Sequence, residues 1–228
     1  MNKDILTFND GHYNVDFIIG DFEYSRVKKM LEMVPQKKHV LDLACNEGTI
    51  TDLIRRKGNE VVGLDMSINA LSLARKKNLE LTRASANHLP FSDSTFDIVM
   101  AGEIIEHIFD TGGFLNEIRR VLKPEGELII TTPNIASLTN RIRLVFGLQP
   151  PCCEVEIEGK AGHIRAFSKV ALDNLLRKHG FTVYEKRSDR IFIPILNTLL
   201  GKININNKLG DMFPGFGTIL IFKAKKIT

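Results

Sequence analysis

This 228-residue sequence has almost no capacity for disulfide or zinc chemistry. It has three cysteines, Cys45, Cys152 and Cys153. The adjacent pair can bridge only with strain, and no Cys-x-x-Cys spacing offers a zinc site. A reducing, cytoplasmic setting is expected. The N-terminus, MNKDILTFNDGHYNVDF, lacks the apolar core of a signal peptide. The most apolar stretch, Ile191 to Leu200, contains Pro194 and Asn197 and falls far short of the ~20 residues that span a bilayer, so no transmembrane segment is expected. No internal repeat or low-complexity tract is present. Nor is any zinc module, basic helix or RNA-binding domain attached, which makes nucleic acid the less favoured partner.

The charge is modest overall and uneven. The net value is +4, but residues 1–134 carry 16 basic and 20 acidic side chains, whereas 135–228 carry 15 and 7. A swing of that size suits either an anionic partner for the later part or a solvated basic surface. At 43% hydrophobic and 25% charged the chain can build a packed core, and its length suits one α/β domain.

Apolar spacing predicts strands alternating with helices. Val27, Met30, Leu31 and Val34 mark a helix over 22–34, stopped by Pro35. HVLDLAC (39–45) reads as a buried parallel strand, and Gly48 opens a helix with Ile50, Leu53 and Ile54 on one face. EVVGLDM (60–66) is a second strand, leading into a helix from Ser67 with Leu71, Leu73 and Ala74 inward. LELTRAS (79–85), TFDIVMAG (95–102) and GELIITT (126–132) are further strands. Between the last two lies a helix through Phe114, Leu115, Ile118, Val121 and Leu122. A helix over 168–178 (Val170, Leu172, Leu175, Leu176) precedes two last strands, 181–187 and 217–225, which can pair at a sheet edge. The pattern predicts a doubly wound, Rossmann-like, seven-stranded sheet, mostly parallel with an antiparallel last strand and helices on both faces. One domain over 1–228 is expected. It comprises an N-terminal helical cap (1–35), a core (36–133) and insertions at 134–165 and 191–216.

In such sheets ligands bind beyond the carboxyl ends of the strands, beside the first one. The residues there are Asp42-Leu43-Ala44-Cys45-Asn46-Glu47-Gly48, and Asp65 ends the next strand 17 residues after Gly48. A carboxylate at that point suits two ribose hydroxyls. The dinucleotide fingerprint G-x-G-x-x-G fails, because Ala44, Asn46 and Thr49 stand at its glycine positions. Asp42 would repel a diphosphate yet favours a cationic ligand. S-adenosylmethionine, an adenosine with a sulfonium and an ammonium group and no phosphate, fits better than a nicotinamide cofactor.

VLDLACNEGT, VVGLDMS, ANHLPFSDSTFDIVMAGEIIEHI and LKPEGELIITTPN together resemble class I S-adenosylmethionine-dependent methyltransferases of the ubiquinone-biosynthesis O-methyltransferase-like group. The resemblance is good over roughly 36–135 and loose elsewhere. It implies that Asp42 and the backbone of Ala44, Cys45, Asn46 and Gly48 hold the methionine portion, and that Asp65 binds the ribose. It further implies that Met66 packs on the adenine, Ser85 and Ala86 lie at its edge, and Ala101 to Glu103 flank the sulfonium. Three residues depart from the pattern: Ala44 and Asn46 replace glycines, and Ser85 stands where an aspartate often meets the adenine amine. Cys45 reads as a small packed residue rather than a nucleophile.

For the chemistry, Glu103, Glu106 and His107 fall at i, i+3 and i+4, and His163 could close over them. The Glu-x-x-Glu-His pattern with a later His resembles that of metal-assisted O-methyltransferases. It implies Mg²⁺ or another divalent cation held by Glu103, Glu106, His107 and His163. A metal-free general base (His107 or His163, with Glu106) and a bracing role stay open beside it. Arg141, Arg143 and Arg165 read as anion binders or as solvated surface. Phe192, Ile193, Ile195, Leu199, Leu200 and Phe213 read as core, a lid, the face of a homodimer or a membrane-touching patch. The expected reaction moves a methyl group to a small-molecule acceptor, through an oxygen nucleophile. The alternatives are a non-catalytic module that binds the donor and a methyltransferase acting on an RNA end.

Overall fold

The computed structural model describes residues 5–9, 14–18, 21–153, 162–191 and 205–227, with side chains for 25–153, 162–191 and 208–227. Parts of both predicted insertions (154–161 and 192–204), and with them Phe192, Ile193, Ile195, Leu199 and Leu200, lie outside the described residues. The chain begins with β1 (Ile5–Asn9), β2 (Asn14–Ile18), α1 (Asp21–Met33), β3 (His39–Leu43), α2 (Thr49–Arg56), β4 (Glu60–Asp65) and α3 (Ile68–Arg75). It continues through β5 (Glu80–Arg83), β6 (Phe96–Gly102), a 3-10 turn (Ile105–His107), α4 (Thr111–Val121) and β7 (Leu122–Pro133). Then follow α5 (Leu138–Val145), a 3-10 turn (Pro151–Cys153), α6 (Lys169–Lys178), β8 (Phe181–Ser188), α7 (Ile205–Met212) and β9 (Ile219–Lys226).

Seven strands form one sheet in the order β5-β4-β3-β6-β7-β9-β8. β3 to β7 pair in parallel, and β9 slots between β7 and β8 antiparallel to both. The strand order reverses at β3, between β4 and β6, and this sets the ligand crevice beyond its carboxyl end. Alternate side chains enter opposite layers. Leu41, Leu43, Val62, Leu64, Val99 and Ala101 join the layer of α4 and α6, while Val40, Val61, Ile98 and Met100 join that of α1 and α2. α1 is fastened by Val27, Met30 and Leu31, each at most 4% exposed. Burying such side chains contributes about 1.5–3 kcal/mol apiece.

Four expectations need correction. The segment 1–35 is not wholly helical, since β1 and β2 pair antiparallel from Ile5↔Ile18 to Asn9↔Asn14 before α1 begins. Asp10-Gly11 between two short alternating runs is the hairpin signal. Leu73 and Val170 are 48% and 62% exposed rather than inward; their helices are covered through Leu71 and Ala74, and through Leu172 and Leu176. Within 134–165, α5 forms where the apolar periodicity is weak. Ser137 caps its Asn140 N–H at 3.3 Å, and most of its apolar side chains face outward.

The β3–α2 connection positions the crevice. Ala44 (φ 57°), Asn46 (φ 50°) and Gly48 (φ 73°) all adopt left-handed backbone, alternating with Cys45 and Glu47. The chain thus reverses sharply and Gly48 becomes the residue preceding α2. A Cβ on Gly48 would sit 2.5 Å from Leu79 Cδ1 and 3.0 Å from Ala74 Cβ, whereas Ala44 carries its methyl group at a left-handed penalty of about 1–2 kcal/mol. The two positions should respond with opposite signs. Gly48→Ala is expected to cost at least ~2 kcal/mol, and Ala44→Gly to gain up to ~1 kcal/mol after the chain-entropy cost of glycine. Urea midpoints at unchanged m-value measure both; a stabilised Gly48→Ala protein would contradict the loop geometry.

Candidate functional site

On the donor side, two carboxylates end neighbouring strands. Asp42 is 5% exposed, and one of its oxygens accepts from the Thr51 hydroxyl at 2.7 Å. It therefore lies beneath the loop, held by α2. Burial pushes its pKa up to about 6, with Thr51 and Arg26 opposing the shift. Asp65 is half-buried and organises the crevice by accepting from two backbone amides: Asn46 N–H at 2.9 Å and Ser67 N–H at 2.8 Å. It ties the β3 loop to the start of α3. Met66 is 67% exposed beside it. Cys45 packs so closely against Gly63 that a Cβ there would lie 2.9 Å from its Sγ. Burial and the nearby Asp42 and Asp65 push its thiol up to about 12, so it is protonated and not a nucleophile. Ser85 accepts from Asn87 N–H at 3.3 Å, Ala86 is buried, and the Oδ1 of Asn87 is buried with no hydrogen-bond partner among the described residues.

On the candidate reacting side, β6 ends in Ala101 (fully buried) and Gly102, and Glu103 follows. Glu103 is left-handed at φ 52°. Its N–H meets the Thr131 carbonyl at 3.1 Å and its carboxylate accepts from the Thr131 hydroxyl at 2.8 Å. Glu106, 1% exposed, accepts from the Thr132 hydroxyl at 3.0 Å through Oε2, while Oε1 has no hydrogen-bond partner among the described residues. Ile164 N–H and Arg165 N–H both donate to the Glu106 carbonyl, at 3.0 and 3.2 Å. This strap carries His163 to within 4.9 Å of His107, ring centre to ring centre. A carbonyl only accepts, so the 3.1 Å contact from His163 Nδ1 to the Cys152 carbonyl makes Nδ1 the protonated nitrogen and leaves Nε2 a lone pair. His107 is similarly bonded to the backbone of Gly162, and burial together with the His163 charge lowers its pKa. Ligand atoms of Glu106, His107 and His163 all lie within 4.8 Å of one another. A cavity of about 510 Å³ lined by Cys152, Cys153, Gly162, His163, Ile164 and Arg165 opens beside them.

The structure therefore divides the predicted reactive set. Glu103 turns to Thr131 and is not part of the Glu106–His107–His163 cluster, because a left-handed Glu103 and a 3-10 turn replace the helix start that would have aligned i, i+3 and i+4. The arginines that read as anion binders hold backbone carbonyls. Arg165 reaches those of Ile108 and Phe109, Arg141 that of Ala136, and Arg143 that of Gln149.

Sequence reasoning missed Arg26. It is 7% exposed on α1, with a guanidinium nitrogen 3.5 Å from Met30 Sδ, and its charge acts on Asp42, Glu103 and Glu106. An arginine four residues before Met30 on an otherwise apolar face was the available signal. Asn87 was missed too, and nothing in its sequence context marked it.

Burial holds Glu103 and Glu106 well above the ordinary carboxylate range, up to about 7, and for Glu103 the Glu106 charge adds to the shift. A carboxyl whose folded pKa is raised binds more protons folded than unfolded. Its stabilising contribution is complete below about 4.5 and is lost as pH climbs through about 7. Glu106→Gln removes that loss and keeps an acceptor for Thr132. The ligand-free variant should be more stable than the parent by about 1–3 kcal/mol at pH 8 and nearly equal to it at pH 4.5. Thermal melts across that range give the difference; a variant less stable at pH 8 would mean that Glu106 is not buried as a charge.

A methyltransferase-domain family profile matches residues 41–130. The chain is 34% identical over 138 residues to a demethylmenaquinone methyltransferase of Lactiplantibacillus plantarum (55% of this chain, 58% of that one). It is 37% identical over 123 residues to the Thermotoga maritima enzyme of the same name (51% and 53%). Against the human mitochondrial ubiquinone biosynthesis O-methyltransferase it is 29% identical over 154 residues (63% and 41%). The chain thus spans about half the length of the curated relatives it matches. Two solved structures share the fold: a SAM-dependent methyltransferase from Thermotoga maritima (18% identity, TM-score 0.66, 90% of this chain and 89% of that one) and one from Archaeoglobus fulgidus (19%, 0.65, 90% and 94%). Residues 41–130 thus match a methyltransferase-domain family, within a fold shared with solved SAM-dependent methyltransferases.

Proposed function

We propose that this chain transfers the methyl group of S-adenosylmethionine to an oxygen nucleophile of a small-molecule acceptor. The observation that carries the reading is the carboxylate-lined crevice at β3 and β4. It suits a cationic nucleoside, and a diphosphate would meet the Asp65 carboxylate, with Asp42 buried beneath the loop, instead of a phosphate cradle. In this reading Asp65 accepts from the ribose hydroxyls, Met66 covers one adenine face, and the unpartnered Oδ1 of Asn87 takes the adenine amine that Ser85 is too short to reach. Arg26 supplies the cation for the donor's carboxylate, and Ala101 to Glu103 line the sulfonium.

The acceptor oxygen attacks the methyl carbon in line with the departing sulfur. The carbon–sulfur bond breaks, its electron pair stays on sulfur, and S-adenosylhomocysteine leaves neutral at that atom. The hydroxyl proton needs an acceptor at the cavity beside His163. His163 Nε2, and His107 with its pKa lowered by desolvation and the neighbouring His163, are the candidates for it. The same cluster fits a divalent cation, because Glu106 Oε1 is unpartnered and both imidazoles are oriented through backbone groups. Glu106, His107 and His163 would hold the ion, which when bound lowers the acceptor hydroxyl's pKa. Glu103 is not among these ligands.

Two measurements separate donor from metal. Asp65→Ala should weaken S-adenosylhomocysteine binding by about 1–3 kcal/mol, about 5- to 150-fold, in titration calorimetry; unchanged affinity would put the ribose elsewhere. Mn²⁺ alone should raise the thermal midpoint of the parent at pH 8, less so at pH 6 where Glu106 is protonated, and should leave His163→Ala unmoved. A parent that Mn²⁺ does not shift overturns the metal reading of the cluster.

A further inference from the structure

α5 is a helix whose apolar side chains are mostly outside. Among its residues only Asn140 is buried, while Ile142, Leu144, Val145, Phe146 and Leu148 on it and just after it are exposed, Val145 at 81% and Phe146 at 74%. Ile142, Val145 and Phe146 lie at i, i+3 and i+4 and share one face. That face continues onto the turn before β9. Leu138 N–H donates to the Phe216 carbonyl at 2.9 Å, the Arg141 guanidinium stacks 5.0 Å from the Phe216 ring centre, and Phe213 lies 6.4 Å further. Both phenylalanines are partly exposed, at 49% and 37%.

The charge along α5 and the segment after it has one sign. Between Asn134 and Cys153 the sequence has two arginines, Arg141 and Arg143, and no acidic residue. The Lys169 side chain lies beside Gly215 in the neighbouring turn. A protein partner of ordinary affinity needs a face of about 800 Å² whose centre is depleted of charge. Here protruding apolar tips are interleaved with arginines, the arrangement of a helix lying in the headgroup plane of a bilayer.

We propose that α5 and the turn at Phe213–Phe216 dock on an anionic lipid surface. Val145 and Phe146 enter the acyl boundary, and Arg141 and Arg143 meet lipid phosphates through the guanidinium N–H groups not given to the Ala136 and Gln149 carbonyls. α5 follows directly on the carboxyl end of β7, so docking would face the site-bearing edge of the sheet toward the bilayer. Lipid binding itself does not depend on methyl transfer.

Co-sedimentation of the full chain with phosphatidylcholine vesicles, with and without phosphatidylglycerol, tests it. The bound fraction should rise with phosphatidylglycerol and fall with added salt. Val145→Asp/Phe146→Asp should lower partitioning by ~10-fold or more at an unchanged thermal midpoint, since both side chains are exposed. Arg143→Gln should lower partitioning to anionic vesicles by ~5-fold, with little effect on neutral ones. The proposal is overturned by no binding to either vesicle, by equal binding to both, or by an aspartate variant that binds like the parent. It is overturned equally by a vesicle-free dimer that the aspartate variant abolishes, which would make the face a contact between copies.

Discussion

Three carboxylates and one guanidinium, brought out of water at the carboxyl edge of a sheet, set the terms for the rest of this molecule. Asp42 comes from β3, Glu103 and Glu106 follow β6, and Arg26 arrives from α1. One positive charge cannot compensate three negative ones in a poorly solvated setting, and all three carboxyl groups respond by holding protons longer. Buried ionic clusters contribute little to stability and often oppose it. Such a cluster makes physical sense where a further cation completes it, and a sulfonium with its ammonium group, or a divalent ion at Glu106, would do so. The deficit of positive charge among buried groups is a better guide to the ligand than the cavity's shape.

The loop beneath that cluster shows what a sequence can convey when it departs from a pattern. Left-handed backbone is needed at 44, 46 and 48, and glycine stands only at the last. At 48 the requirement is strongest, because a Cβ would meet Leu79 Cδ1 at 2.5 Å and Ala74 Cβ at 3.0 Å. At 44 and 46 the side chains point into open or half-open space. Strain there costs a modest amount that alanine and asparagine can bear. The missing glycines at 44 and 46 therefore do not weaken the case for the fold. They do remove the close backbone approach that a dinucleotide's pyrophosphate requires.

What was legible in the sequence was what the core dictates. Strands β3, β4, β6 and β7 are buried on both faces, and helices α1, α2 and α4 have one apolar face each. Their periodicity is written in the residues that pack. The helix α5 and the residue Asn87 were not legible, and Arg26 left only the signal of a charge on an apolar face, for a common reason. Each is fixed by tertiary contact or capping rather than by burial of an apolar stripe. α5 even inverts the usual code, presenting apolar side chains to solvent, so no amphipathic pattern directed toward the core exists to be read. Leu73 and Val170 failed oppositely: they fit helical spacing, but a helix on a curved, twisted sheet is covered over a narrower arc than the spacing allows.

The residues of the candidate reactive cluster owe their meeting to backbone more than to side-chain affinity. Glu106 and His107 are adjacent in sequence, but His163 lies more than fifty residues away and is delivered by two amides, those of Ile164 and Arg165, that share the Glu106 carbonyl. Arg165 then secures the same strap by reaching the carbonyls of Ile108 and Phe109. An arginine that looks in sequence like an anion receptor is thus spent on orientation, and the imidazoles gain fixed tautomers because carbonyl oxygens accept and never donate. This division of labour explains why Glu103, closest in sequence spacing to an ideal triad, is left out. The left-handed turn that lets the strand end at Glu103 sends its carboxylate toward Thr131, and the strap then builds the cluster from the next turn of chain.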